Sequence, residues 1–114
     1  MTAQEKALEA PFLKEAVEGV LYVDQLKEYA HGQVVILSAS LEDKITFKVW
    51  TTTGNNWSET KSAESAPSVM VFDIPADTFT KNMQSEAGST LQYSMKNGTQ
   101  DLGESPVTKI RLVK

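Results

Sequence analysis

The sequence predicts an all-β fold: an antiparallel sandwich of about seven strands behind a short N-terminal arm. Short apolar segments, several of them alternating with period two, recur along the 114 residues between turn-rich stretches. No long segment of helical periodicity separates them, so parallel βαβ units are not expected. The length suits one domain around one core.

In chain order, residues 1–10 form the arm. Thr2-x-x-Glu5 has the spacing of a capping box ahead of a thin apolar stripe (Ala3, Ala7, Leu8), and Pro11 ends that pattern. The arm is expected either to fray or to form a short helix docked on the domain, which spans 11–114. The first strand is 20–23, after Gly19, and the second is 33–38, after a turn at His31-Gly32. Lys44–Thr51 alternates strictly, the mark of a half-buried strand. The polar stretch 52–67 reads as a long connection across one end, with at most a short edge strand around Trp57. A buried strand at 68–74 is closed by Pro75, and 77–83 fits one helical turn with Asp77 as its N-cap. Residues 90–96 alternate again, Asn97-Gly98 signals a turn, and 106–113 is the last strand, with its proline at the start.

One sheet should pair 44–51, 89–96 and 106–113. The inward parity is Ile45, Phe47 and Val49; Met70, Phe72 and Ile74; Leu91, Tyr93 and Met95; and Ile110 with Leu112. The opposite parity turns Lys44, Thr46, Lys48 and Trp50 outward, with Gln92, Ser94, Lys96, Lys109 and Arg111. Five of the 11 basic residues thus share one face, and no acid lies within those segments. Such a basic platform with one tryptophan suits an anionic glycan, an acidic protein patch, or the acidic N-terminal third of a neighbouring copy. Residues 1–43 carry a net −5 and the remainder +1, which can guide self-association. Lysines on exposed strands also guard against edge pairing, a purely structural role.

The net charge of −4 argues against nucleic acid as a partner. No run approaches the ~18–20 apolar residues of a membrane span. There is no cysteine, which removes disulfides, thiol catalysis and cysteine-ligated metals. The start lacks a basic segment followed by an apolar one, so no signal peptide is expected, which leaves the cytoplasm or export by another route. The only histidine, His31, reads as a solvated turn residue, and no Gly-x-Ser-x-Gly elbow is present. The acids all read as surface or turn residues. No enzymatic activity and no cofactor are therefore expected. Glu42, Asp43, Asp73, Asp77, Asp101 and Glu104 lie near loop ends, but without calcium-loop spacing, so no metal site is expected. Asp73 is better read as an outward strand residue. In the loop at 53–58, Trp57 stands beside Asn55 and Asn56. An indole stacks on a pyranose and amides reach its hydroxyls, so this loop could bind sugar. Otherwise Trp57 folds back or starts an edge strand.

A series of landmarks resembles a known family. They are Ala10-Pro11, Glu15-Ala16 and Gly19-Val20-Leu21 at the entry, and Asp43-Lys44-Ile45-Thr46-Phe47 with Trp50 in the third strand. Phe72-Asp73-Ile74-Pro75-Ala76, Gly88-Ser89-Thr90-Leu91-Gln92-Tyr93-Ser94 and Ser105-Pro106 follow. Over roughly 10–113 they look like the bacterial immunoglobulin-like domains found as tandem repeats in large surface and secreted proteins. The resemblance implies an immunoglobulin-like sandwich and a non-enzymatic binding or spacer module, with roles in adhesion or protein–protein interaction at the cell surface or after export. A carbohydrate-binding, lectin-like domain using an exposed tryptophan is the alternative. Tyr93, five residues after Gly88, is placed like a tyrosine-corner residue, whose hydroxyl would bond main chain near 84–88. Trp50 departs from the family pattern, one position later than the tryptophan usual on the inward face of the third strand.

Overall fold

The computed structural model describes residues 8–37 and 39–114. The helix expected in the arm and the far end of the strand expected at 33–38 therefore fall partly outside the described residues. The described part of the arm is in contact with the domain, since Leu8 packs against its core.

Two sheets face each other across that core. The smaller is antiparallel, in the order β1 (Phe12–Leu13), β3 (Tyr29–Ile36), β6 (Ser68–Pro75). The larger runs β2 (Val20–Tyr22), β9 (Thr108–Val113), β7 (Gly88–Asn97), β4 (Lys44–Thr51), β5 (Asn56–Ser62), and β8 (Gln100–Glu104) also pairs with β7. Every pairing is antiparallel except that of β2 with β9. The chain passes from the smaller sheet to the larger between β1 and β2. A two-residue turn sits in that crossing, with positive φ at Glu18 (51°) and Gly19 (78°) closing the Val17–Val20 bridge.

The expected pairing of the strands at 44–51, 89–96 and 106–113 is present, in the order β9-β7-β4. So is the inward parity: every residue assigned to the core from β4, β6, β7 and β9 is buried. Phe47 lies at the centre. Its ring is 5.1 Å from that of Phe72 on the facing sheet, tilted by 32°. Its far edge fills the space above Gly32 on β3, where a Cβ would stand 2.6 Å from Phe47 Cζ.

That contact corrects the reading of His31-Gly32 as a turn. β3 starts at Tyr29, and Gly32 is a mid-strand residue that makes room for an aromatic ring. Among the described residues there are nine strands, not about seven. β1 is only two residues long, and β8 has one buried apolar side chain, Leu102, so neither announces itself by alternation. β8 forms because the turn at Gly98, with φ of 60°, folds it back on β7, and a register shift at Met95/Lys96 lets Leu102 point inward. The 52–67 segment is not a single long connection, because its seven residues Asn56–Ser62 form β5, hairpinned to β4. The helix is shorter than expected, α1 (Asp77–Thr80), and Ala76 takes the cap position with no side-chain cap bond. Asp77 is therefore the first helical residue and not the N-cap. Phe79 from α1 is fully buried.

Tyr93 also differs. Its hydroxyl is buried and has no hydrogen-bond partner among the described residues, so no corner bond to 84–88 forms. The residue is held by its main chain instead: its N–H donates to Ser105 Oγ (3.0 Å) and its carbonyl accepts the Ser105 N–H (2.8 Å). Burial first, and then the negative charge of Glu9, push the Tyr93 phenol up to about 12. A tyrosine in the unfolded chain ionises near ~10. The folded phenol resists ionisation, so its contribution to stability is complete below ~10 and is lost as pH rises toward about 12. Tyr93→Phe should leave stability at neutral pH unchanged or slightly higher, because it removes an unsatisfied buried group. It should also abolish one late step in the alkaline titration of tyrosinate absorbance. A loss above ~1 kcal/mol at neutral pH would show that the hydroxyl has a partner.

Candidate binding face

The outer surface of the larger sheet is built by strand register. Across β9, β7, β4 and β5, one row is Lys109, Thr90, Trp50 and Asn56. The next rows on β7, β4 and β5 are Gln92-Lys48-Ser58, Ser94-Thr46-Thr60 and Lys96-Lys44-Ser62. The face is therefore a carpet of hydroxyls crossed by cations, with a single indole. Trp50 is 39% exposed. It points outward because β4 keeps strict alternation from Ile45 to Val49.

Hydroxyl and amide bonds fix this surface. Thr46 and Thr60 share a hydrogen bond of 2.8 Å, Lys44 Nζ donates to Ser62 Oγ (2.6 Å), and Gln92 Nε2 donates to the Ser105 carbonyl (2.8 Å). Lys44 and Lys96 stand directly opposite each other on adjacent strands, a like-charge pairing that costs stability.

The expected site residues form a stripe, not a cluster. Trp50, Lys48, Asn56 and Trp57, with Val49 and Ser58, line one shallow groove of about 240 Å³. Lys109 adjoins it through Thr90. Lys96 lies six residues along β4 from Trp50, about 20 Å away at strand rise. Arg111 lies beyond the opposite end, against the Met83–Glu86 loop, where it helps line a separate groove of about 380 Å³.

Three expectations about this face need correction. The segments 44–51, 89–96 and 106–113 hold no acid, but the platform they form is not purely basic, because β8, unforeseen, sets Glu104 beside Ser94 and Asp101 beside Lys96, and Lys48 Nζ is 3.8 Å from Glu104 Oε2. Ser94 has the outward parity but is buried. Asn55 offers nothing to a ligand through its amide nitrogen, which donates to the Thr78 (3.0 Å) and Lys81 (2.8 Å) carbonyls and ties the β4–β5 loop to α1. Trp57 lies in β5 and packs partly against the core.

Elsewhere, His31 is no solvated turn residue. It sits half-buried on the outer face of β3, where Glu15 Oε2 lies 2.5 Å from Nδ1 and Glu15 Oε1 accepts the His31 main-chain N–H (2.8 Å). Asp73, outward and exposed on β6, is 3.8 Å from Nε2. Asp43 is not a surface acid either. It is buried and accepts hydrogen bonds from the Ser40 N–H and Asn97 Nδ2 (both 2.9 Å), a loop-fixing role that sequence spacing did not signal. Among the described residues, no group of three or more His, Asp or Glu side chains is placed to hold a metal ion, and no helix is long and apolar enough to cross a membrane. Comparisons with protein-family models, curated proteins and solved structures returned no match.

Proposed function

We propose that this chain is a non-enzymatic binding module with an immunoglobulin-like β-sandwich, of the kind used by bacterial surface or exported proteins, and that it engages an anionic partner through the outer face of its larger sheet. The observation that carries the reading is Trp50, an exposed indole with Lys48 and Lys109 in the neighbouring positions of a polar sheet face that also carries Lys44 and Lys96. An aromatic anchor with a polar surround is the usual make-up of a recognition patch. The topology supports the fold assignment. An immunoglobulin sandwich places its third, sixth and seventh strands in one sheet and its second and fifth in the other. Here β4, β7 and β9 share the larger sheet, and β3 and β6 the smaller.

The test is a polyanion titration, with heparin as probe and tryptophan fluorescence as readout. Affinity should fall as salt rises, since exposed charges are screened over ~10 Å at 0.1 M. Lys48→Glu combined with Lys109→Glu should weaken binding by about tenfold or more at low salt with the melting temperature kept. Equal binding by parent and double variant would overturn the reading. The carbohydrate alternative has one observation in its favour, the groove where Trp50 and Trp57 meet Asn56. It predicts binding of neutral oligosaccharides that is indifferent to salt and abolished by Trp50→Ala.

A further inference from the structure

Among the described residues, β6 is the outer strand of the smaller sheet and pairs only with β3. Its open side is met by Lys61, which reaches across from β5 of the other sheet. Lys61 Nζ donates to the Val71 carbonyl at 2.7 Å and lies 4.9 Å from the centroid of the Phe72 ring. In antiparallel pairing, a residue turns both main-chain groups to the same side. Val69, Val71 and Asp73 therefore present N–H and C=O to the open edge, while Met70, Phe72 and Ile74 bond to β3. The side chains of Val69 and Val71 are 50% and 38% exposed. Asp73 is the only charge on the strand. A long, apolar, nearly uncharged edge is one that folded proteins keep covered.

We infer that the β6 edge is a strand-addition site for β6 of a second copy, held closed by the ammonium of Lys61. The occupant follows from the register. A two-fold axis through Met70 sets Val69 against the second copy's Val71, and Val71 against its Val69. These are the residues whose main-chain groups face the edge, so both pairs are hydrogen-bonded. The same axis carries Asp73 past the end of the other strand, which keeps the two carboxylates apart. It also brings the outward-facing Phe12, Val35, Val69 and Val71 of the two small sheets, beside His31 and Gln33, onto one surface over six strands. An axis through Val71 would instead set Asp73 against valine. While Lys61 occupies the Val71 carbonyl, one acceptor is taken and a charge stands in the path of the incoming strand, so the protein stays monomeric.

Lys61→Met removes the charge and keeps the apolar stem over Phe72. Light scattering after size exclusion, across a dilution series, should give a monomer for the parent and a concentration-dependent dimer for Lys61→Met, with circular dichroism reporting that both fold. Adding Val71→Lys, which puts a charge back on the edge, should restore the monomer. Lys61→Gln gives the same comparison should methionine disturb the packing on Phe72. A monomeric Lys61→Met and Lys61→Gln, a dimer that Val71→Lys leaves intact, or a parent that already pairs through this edge would each overturn the inference.

Discussion

Phe47→Ala is expected to destabilise the fold by about 3–5 kcal/mol, a large part of the ~5–15 kcal/mol that domains of this kind possess. The side chain is fully buried and belongs to the larger sheet, yet two of its contacts lie on the facing sheet, Gly32 on β3 and Phe72 on β6. Truncation therefore loses the transfer energy of a phenyl group and opens a cavity between the sheets. Neither wall can collapse easily into that cavity, because β3 and β6 are held to each other along eight residue pairs. Phe72→Ala removes the other half of the aromatic contact and should fall in the same range. Urea denaturation reads the effect as a lower midpoint with an unchanged slope. An unchanged midpoint for either variant would mean that the facing residues have been misassigned.

Gly32→Ala is the second large effect, and it acts by overfilling. A methyl group at Gly32 would meet Phe47 at 2.6 Å from Cζ and 3.0 Å from both Cε atoms, closer than carbon atoms approach. The ring cannot swing aside, since Phe72 and the buried neighbours of β4 and β7 surround it. A cost of about 1–3 kcal/mol follows. The second substitution Phe47→Leu shortens the opposing side chain and should reduce the penalty of Gly32→Ala. The positive coupling is the signature of a direct contact. If Gly32→Ala costs the same in both backgrounds, the clash is not the cause.

The parts of this fold written in side-chain alternation were legible in the sequence. β4 was read to its correct ends, and the inward sets of β6, β7 and β9 follow from parity alone, because each of these strands has one face on the core. What was missed lies where long-range contacts decide. Gly32 looks like turn punctuation until Phe47 arrives from the other sheet. β8 carries only Leu102 as an apolar signal and depends on the hairpin at Gly98. β5 is an edge strand, polar on nearly every residue, and only its pairing with β4 makes it a strand. Of the candidate face, the outward direction of Trp50, Lys48, Lys96 and Lys109 could be read in advance. The placement of Glu104 beside Lys48 could not, since it follows from β8. The spent amide of Asn55 likewise depends on α1, which lies far along the chain. The Lys61 contact with Val71 spans two sheets and leaves no local pattern.

We propose that the outer face of the larger sheet binds an anionic partner. Amide and indole chemical-shift mapping during a heparin titration at low salt tests it most directly. The predicted result is a set of perturbations centred on Trp50, Lys48, Thr90 and Lys109 and running toward Lys44 and Lys96, all reversed by added salt, with β3 and β6 unmoved. Perturbations confined to the β3–β6 sheet, or none on the larger sheet at saturating probe, would contradict it.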